Sequence, residues 1–355
     1  MSESEHTTVG RRRFLVGGAA IGSGALLAGC TSNEAPNTST ADVTSAGKAG
    51  AGNDKPGKHV TIGFSAPAAD HGWMSAITKN ARAQADQYAD VSIEAVEGTN
   101  DVNAQISQVQ TLIGKKVDVL VILPFDGKAL TSVGQQAMDA GIPVVNVDRA
   151  FDTPLAYRTW IGGDNYGMGL NAGLYIGRTL KAKGVHSPVI GEIAGIDNLE
   201  LTKQRSTGFK AGLAKYGFSV GVRQAADFTA DSGHQVMSNV LQARSHLDAV
   251  WNHDDDQGIG VEAAIKQAGR SEFFMVGGAG SKHAMQEIKT GSAVLKATVV
   301  YPSNMSASAI RLARLIAQQK AMGDLVGQDL PSSVTLFSAI VTKDNVDQYL
   351  PGAFS

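Results

Sequence analysis

The chain has 355 residues, room for two domains, and with 43% hydrophobic and 18% charged residues it can bury a core. Lysines and arginines number 31 against 33 aspartates and glutamates, so the formal net charge of -2 offers no basic field to hold nucleic acid. The single cysteine, Cys30, excludes an intrachain disulfide and a cysteine-cluster metal site.

The first 29 residues show the regions of an export signal in order. Arg11, Arg12 and Arg13 resemble a bacterial twin-arginine signal. The apolar stretch that follows, at 16–28, is about half the ~20 residues that a membrane span needs. Leu-Ala-Gly-Cys, ending at Cys30, resembles a lipobox, which implies that Cys30 carries lipid. Residues 30–57 lack apolar periodicity and predict a flexible tether.

From residue 59 onward, short apolar runs alternate with helical patterns, as is typical of parallel sheets covered on both faces. The predicted strands are 60–65, 91–96, 117–123, 143–147, 188–193, 219–225, 249–252, 273–276, 294–299 and 334–341. The predicted helices are 74–88, 103–113, 128–140, 166–181, 201–216, 232–243, 256–268 and 303–319. One doubly wound sheet rarely holds so many strands, so we predict two similar α/β lobes with a ligand between them.

Polar and aromatic side chains follow these strands, at the edge where parallel sheets bind ligands. Each one alone is explained equally well as a helix cap or a surface loop residue. Together they combine aromatic faces, which pack on sugar C–H groups, with Asp and Arg side chains, which bridge neighbouring hydroxyls. The set therefore predicts a sugar or polyol as the ligand. It comprises Asp70, His71, Trp73, Asp148, Arg149, Arg205, Phe228 and Asp254.

Other chemistries fit the motifs less well. The run His253, Asp254, Asp255, Asp256 offers oxygen ligands for a hard cation but lacks the DxDxDG spacing, so we predict no metal site. Residues 278–282 lack the GxxxxGK[ST] spacing of a phosphate loop. HExxH does not occur, and the single GxSxG match, at 217–221, lies between a predicted helix and a predicted strand, which is the reverse of the strand-to-helix order of a nucleophile elbow. We therefore predict no catalytic residue and no cofactor.

Residues from about 59 to 343 resemble the ribose-binding-protein-like sugar-binding proteins of ABC transporters, the type 1 periplasmic binding proteins. The resemblance rests on ordered motifs, IGFSAPAADHGWM, VDVLVILPFDGKAL, GIPVVNVDRAF, IGGDNYGMGLNAGLYI, QRSTGF, AADF, DAVWNHDDDQGIG, VGGAG and LFSAIVT. It implies one lobe of residues 58–163 plus 302–336 and another of 164–301 plus 337–355. Three crossings, near Gly163, Tyr301 and Phe337, would form a hinge that closes on the ligand.

Carried over position by position, the resemblance implies a set of ligand contacts. They are Ser65, His71 or its alternative Asp70, Trp73, Met74, Asp148, Arg149, Arg205, Phe228, Asp254 and Tyr301. Three positions depart from the ribose pattern: Asp254 replaces an asparagine, Ala279 an aspartate and Tyr301 a glutamine. A different pentose, a hexose or a linear sugar alcohol is therefore expected to bind better than ribose.

The resemblance implies a monomeric, exported protein, anchored by lipid at the outer face of the cytoplasmic membrane, that delivers a monosaccharide or sugar alcohol to an ABC permease. A binding protein that signals to a membrane receptor is not separable from this by sequence. An exported carbohydrate-active enzyme would need paired carboxylates facing a glycosidic bond. A transcriptional regulator of this fold would need a helix-turn-helix where the export signal stands.

Overall fold

The protein is built on two six-stranded sheets. A computed structural model describes residue 53 and residues 55–291, 294–322 and 329–355. The export signal at 1–29, Cys30 and most of the predicted tether lie outside the described residues. Within the described part, none of the helices is both long and apolar enough to cross a membrane.

All strands of the first sheet are parallel. In spatial order they are β11 (Ser333–Leu336), β5 (Thr159–Gly163), β4 (Val144–Val147), β3 (Val119–Ile122), β1 (Val60–Ser65) and β2 (Val91–Ala95). The central strands β3 and β4 are buried along their whole length. The run VLVI of β3, and the run VVNV of β4, which is aliphatic except for Asn146, suit strands that are covered by helices on both faces.

The second sheet has the same plan. In spatial order its strands are β12 (Ile340–Thr342), β10 (Leu295–Val300), β9 (Phe274–Ala279), β8 (Ala249–Asn252), β6 (Ile190–Ala194) and β7 (Val222–Ala225). The edge strand β12 runs antiparallel to β10. The other pairs are parallel.

Helices cover both sheets. They are α1 (Gly72–Ala85), α2 (Val102–Gly114), α3 (Gly127–Asp139), α4 (Asn165–Ala182), α5 (Glu200–Ala214), α6 (Ala230–Ala243), α7 (Asp255–Gln267), α8 (Lys282–Thr290), α9 (Met305–Ala317) and α10 (Val346–Tyr349). Side-chain caps fix where several of them begin. Asp101 accepts from the N–H of the third residue of α2 at 2.7 Å, and Asp164 does the same for α4 at 2.7 Å.

The chain passes between the sheets three times. The first crossing joins β5 to α4, the second joins β10 to α9, and the third joins β11 to β12. After the first crossing α4 packs on α5 of the second sheet, and after the second α9 packs on α1 and the first sheet. Two α/β lobes linked by three crossings confirm the predicted fold class.

Two strands differ from the sequence prediction in more than their bounds, and helices α8 and α10 were not among the predicted helices. The strand predicted at 334–341 is wrong as one element, because it is divided between β11 and β12 in different sheets, with the third crossing between them. The sequence pattern did not predict β5, which ends in Gly162 and Gly163. Glycine has no side chain to pack and weakens the strand pattern.

The end of the predicted tether is held on the first lobe. Arg314 Nη2 donates to the carbonyl of Lys55 at 2.8 Å, and the N–H of Gly57 donates to Asp90 Oδ2 at 2.5 Å. Arg314 also binds both carboxylate oxygens of Asp90, at 2.9 and 2.7 Å. The end of the tether predicted at 30–57 is therefore in contact with the first lobe.

Candidate ligand-binding site

A pocket lies between the two lobes, and its empty space, including the open mouth, is about 310 Å³. It is formed by the turns that follow β1, β4, β7, β8, β9 and β10, together with α5, so both sheets present their carboxyl ends to it. The lining residues are His71, Trp73, Asp148, Arg149, Leu201, Arg205, Phe228, Asp254, Ala279 and Tyr301. This is the edge at which open α/β sheets bind ligands.

Three of the lining residues have a strained backbone. Asp148, Phe228 and Ala279 have φ angles of 60°, 73° and 79°, in the left-handed region that favours glycine. Such a conformation costs on the order of 1–3 kcal/mol and persists where the surrounding structure imposes it, commonly at ligand sites. All three residues line the pocket, at or just after the ends of β4, β7 and β9.

Asp148 and Arg149 form the polar wall of the first lobe. Arg149 Nη1 donates to the carbonyl of Phe125 at 2.5 Å, and the guanidinium lies 5.5 Å from the Phe125 ring centre. Arg149 Nε is 3.9 Å from Asp148 Oδ2, and it is buried without a hydrogen-bond partner among the described residues. An unpaired buried donor is costly, so a ligand oxygen is the expected acceptor.

A chain of hydrogen bonds joins the two lobes beneath the pocket. Arg205 Nε donates to Asn165 Oδ1 at 2.8 Å, and Asn165 Nδ2 donates to the Tyr301 hydroxyl at 3.0 Å. The Tyr301 hydroxyl in turn donates to Asp148 Oδ1. Burial and the Asp148 carboxylate raise the pKa of Tyr301, so its phenol stays a neutral donor. A Cβ at Gly163 would lie 2.1 Å from the Tyr301 ring, so glycine is required there.

The aromatic surfaces come from both lobes. Trp73 Nε1 donates to the carbonyl of Tyr301 at 3.1 Å, so Trp73 offers the pocket ring carbons and not a donor. Phe228 from the second lobe stacks on His71 from the first, with ring centres 6.4 Å apart at 27°. The Arg205 guanidinium lies 4.6 Å from the Tyr301 ring centre and 5.8 Å from that of Phe228. The lobes therefore meet through ring faces around the pocket.

Asp254 combines two roles in the second lobe. Its Oδ1 caps α7 by accepting from the N–H groups of Asp256 and Gln257 at 2.8 and 3.3 Å. Its Oδ2 accepts no bond from the described residues and is the oxygen available to a ligand. Burial, with the nearby Asp256 carboxylate, raises the pKa of Asp254 to about 6. The pocket therefore holds an acceptor that gains a proton in mildly acidic solution.

His71 is the titratable ring at the mouth of the pocket. Its Nδ1 lies 2.5 Å from Asp70 Oδ1, and Asp70 Oδ2 accepts from Asn100 at 2.7 Å. Burial alone would lower the pKa of His71, but the bond to Asp70 and the carboxylates of Asp254 and Asp256 outweigh it and raise that pKa. Asp70 thus acts on the pocket by orienting His71 and by favouring the protonated form of its ring.

The other predicted contacts lie away from the pocket wall. Ser65 ends β1, is fully buried and accepts from Gln105 Nε2 at 3.1 Å. Met74 is buried at the start of α1 and lines a neighbouring groove with His71, as does Asp70.

Leu201 and Asn165 were missed by the sequence reasoning. No sequence pattern marked Leu201 as a pocket residue, because it is an apolar residue in the first turn of a helix. Asn165 lies just after β5. Had β5 been predicted, Asn165 would have been selected as a polar residue that follows a strand.

The carboxylate of Asp255 is bonded to backbone and hydroxyl donors of the second lobe. Its carboxylate accepts from the N–H groups of Gly278, Gly280 and Ser281 at 2.9, 3.0 and 2.8 Å, and from the hydroxyl of Thr298. It thus holds the turn that carries Ala279. Across the described ranges, no group of three or more His, Cys, Asp or Glu side chains is arranged to hold a metal ion.

Comparison with known proteins identifies the architecture. A family described as periplasmic binding protein domain matches residues 62–321. The chain belongs to this family. Its ribose-binding-like relatives and sugar-bound structural neighbours place it with the type 1 periplasmic binding proteins, as the motifs predicted.

Two curated relatives illustrate the group. The ribose import binding protein RbsB of Bacillus subtilis is 30% identical over 232 residues, which is 65% of this chain and 73% of that protein. A xylitol-binding protein of Mycolicibacterium smegmatis is 27% identical over 280 residues, 77% of this chain and 76% of that protein. Both are named as binding proteins.

Solved structures share the fold over nearly their whole length. A Mycobacterium smegmatis protein in complex with β-D-fucofuranose has a TM-score of 0.74 at 27% identity, covering 82% of this chain and 94% of that one. An ABC transporter solute-binding protein of Bacillus halodurans with bound myo-inositol has a TM-score of 0.75 at 22% identity, covering 83% and 98%. At that identity the second match shows the fold alone.

Proposed function

We propose that this protein captures a monosaccharide or sugar alcohol between its two lobes and releases it to an ABC transporter permease. The observation that carries the proposal is the unpaired, buried Arg149 Nε in a pocket that also presents Asp148, Asp254 and two aromatic faces. Hydroxyl groups satisfy such a mixed set, because each one both donates and accepts.

The charges of the pocket favour a neutral ligand. The guanidinium groups of Arg149 and Arg205 are matched by the carboxylates of Asp148 and Asp254, and the His71 ring is matched by the carboxylate of Asp70. An anionic ligand would pair with a guanidinium and leave a pocket carboxylate without a counter-charge. A cationic ligand would pair with a carboxylate and leave a guanidinium without one. Trp73 and Phe228 supply apolar faces for the C–H groups that alternate with hydroxyls on a sugar.

Closure of the lobes is the mechanism that we infer. We take one lobe as residues 58–163 plus 302–336 and the other as 164–301 plus 337–355, with the hinge at the three crossings. Arg149 lies on the first lobe and Arg205 on the second, so a ligand that binds both favours the closed form. The closed form is then what a permease would recognise.

We further propose export and lipid anchoring through Cys30, which keeps the binding protein at the outer face of the membrane. Delivery to a transporter is favoured over sensing, because RbsB is an import protein. Binding is favoured over catalysis, because the relatives RbsB and the xylitol-binding protein are named as binding proteins.

A thermal-shift screen against pentoses, hexoses and sugar alcohols tests the proposal. A ligand that binds only the folded protein raises the melting temperature by mass action. We expect at least one neutral polyol to do so, to be recovered chemically unchanged, and to lose its effect in Arg149→Met. Arg178→Met, at an exposed arginine on α4, is the matched control and should keep the shift. A screen in which no sugar or polyol shifts the melting temperature contradicts the proposal.

A further inference from the structure

Helix α1 of the first lobe is capped by a residue of the second lobe. His71 stands at the N-cap position of α1 but makes no side-chain bond to the helix. Instead, the N–H of Trp73, in the first turn, donates to Asp256 Oδ2 at 2.8 Å. Asp256 lies in the first turn of α7, which packs on the second sheet. Helices such as α2 and α4 obtain this bond from their own N-cap residue, whereas α1 obtains it from across the cleft.

Gly72 allows this approach. A Cβ at Gly72 would lie 2.6 Å from Asp256 Oδ1 and 3.1 Å from Oδ2, closer than carbon and oxygen atoms pack. A side chain at position 72 would therefore push the Asp256 carboxylate away. One lobe supplies the carboxylate, and the other supplies bare backbone shaped to receive it.

The N-termini of α1 and α7 also favour the bond between Trp73 and Asp256. The first turn of a helix carries unpaired N–H groups and a partial positive charge, which a carboxylate stabilises. The start of α7 is already capped by Asp254, so the Asp256 carboxylate is available for α1. Since α1 and α7 belong to different lobes, opening the cleft breaks the bond and leaves the first turn of α1 without it.

We propose that Asp256 is a latch residue that stabilises the closed form without contacting the ligand. This proposal rests on the proposed function in one respect, namely that closure of the lobes retains a ligand. Asp256 holds part of the ligand-free population closed, and it raises ligand affinity by lowering the free energy that closure requires. It acts through α1 and is thus a positioning residue for Trp73, which lines the pocket.

Hydrogen exchange and small-angle scattering on the ligand-free protein test the latch. The variants are Asp256→Ala, Gly72→Ala and the double variant, with Asp101→Ala as the matched control. Asp101 caps α2 inside the first lobe through the same kind of bond. In Asp256→Ala we expect the Trp73 amide to exchange about tenfold faster than in wild type, as for loss of a charge-assisted bond. The radius of gyration should increase.

Gly72→Ala retains Asp256 but pushes its carboxylate away from α1, so it should produce the same two changes, while the double variant should add little to either single change. Asp101→Ala should speed exchange at Ala104 and leave Trp73 and the radius of gyration as in wild type. The latch is refuted if the Trp73 amide exchanges equally fast in wild type and Asp256→Ala, or if Asp101→Ala expands the protein as much. No ligand is used, so a failed sugar screen does not affect this result.

Discussion

Asn165 joins two of the hinge crossings, because its side-chain amide donates to the Tyr301 hydroxyl at 3.0 Å while its own position begins α4. It also accepts from Arg205 at 2.8 Å. Residues that line the pocket are thereby bonded to the segments that must move when the lobes close.

Asn165→Ala should weaken both stability and ligand affinity. It leaves Arg205 Nε and the Tyr301 hydroxyl each without one buried partner, which costs about 1–3 kcal/mol in the free energy of unfolding. Urea unfolding and calorimetry measure the two effects.

Asn171→Ala is the control, since Asn171 on the same helix donates to the carbonyl of Ser338 and does not line the pocket. Asn171→Ala should lower the free energy of unfolding and leave the ligand affinity unchanged. An equal loss of affinity in both variants would show that the bonds of Asn165 to Tyr301 and Arg205 are not what matters.

Asp148→Ala should abolish most binding. The substitution removes the acceptor of Tyr301 and the carboxylate beside Arg149, and truncating one partner of a buried charge network costs about 2–5 kcal/mol of binding free energy. Calorimetry with the tightest ligand of the screen measures the loss. Asp139→Ala, at an exposed position at the end of α3, should bind as wild type. Wild-type affinity in Asp148→Ala would remove this residue from the site.

The regular elements and the strand-end residues were predictable from the sequence, because buried parallel strands leave continuous apolar runs and ligands bind where such strands end. Asp148, Arg149, Phe228 and Asp254 were found in this way. What depends on contact between the lobes was not predictable. The bond from Trp73 to Asp256 joins residues 183 positions apart, and no local pattern encodes it.

The pKa of Asp254 predicts a pH-dependent stability. The folded protein holds this carboxyl proton up to about pH 6, whereas the unfolded chain releases it near 3.8. In that window the folded state binds more protons, so stability falls as pH rises from about 4 to 6. A difference of about two between the pKa values corresponds to at most about 3 kcal/mol.

Asp254→Asn keeps a good cap for α7 but cannot lose a proton. Its unfolding free energy minus that of wild type should therefore increase between about pH 4 and 6 and level off above. For Asp254→Ala the same difference in unfolding free energy should increase equally with pH, but it should begin at a lower value because this variant also loses the cap of α7. Urea unfolding across this pH range measures all three proteins, and a pH-independent difference for Asp254→Asn would contradict the prediction.

Cys30 should carry lipid. A single acyl chain binds membranes only marginally, so stable anchoring implies more than one chain on the mature protein. Labelling cells with a fatty-acid analogue should mark wild type, which should fractionate with membranes. Cys30→Ser should be unlabelled. Equal labelling of both proteins would refute the lipobox interpretation.

Ala279 should direct the pocket away from ribose. It lines the pocket where the ribose-type pattern has an aspartate, so a ribose hydroxyl loses its acceptor there. An unpaired buried hydroxyl costs about 1–3 kcal/mol, which is roughly tenfold to a hundredfold in affinity. Another pentose, a hexose or a sugar alcohol should therefore bind wild type more tightly than ribose in parallel titrations.

Ala279→Asp should raise the affinity for ribose by about tenfold or more, because it restores the acceptor, and because aspartate tolerates the φ angle of 79° better than alanine does. Ala279→Gly relieves the backbone without adding an acceptor and should leave ribose binding as in wild type. If glycine and aspartate improve ribose binding equally, backbone strain and not the missing carboxylate limits the affinity. If ribose is already the tightest ligand of wild type, the three departures from the ribose pattern do not determine specificity.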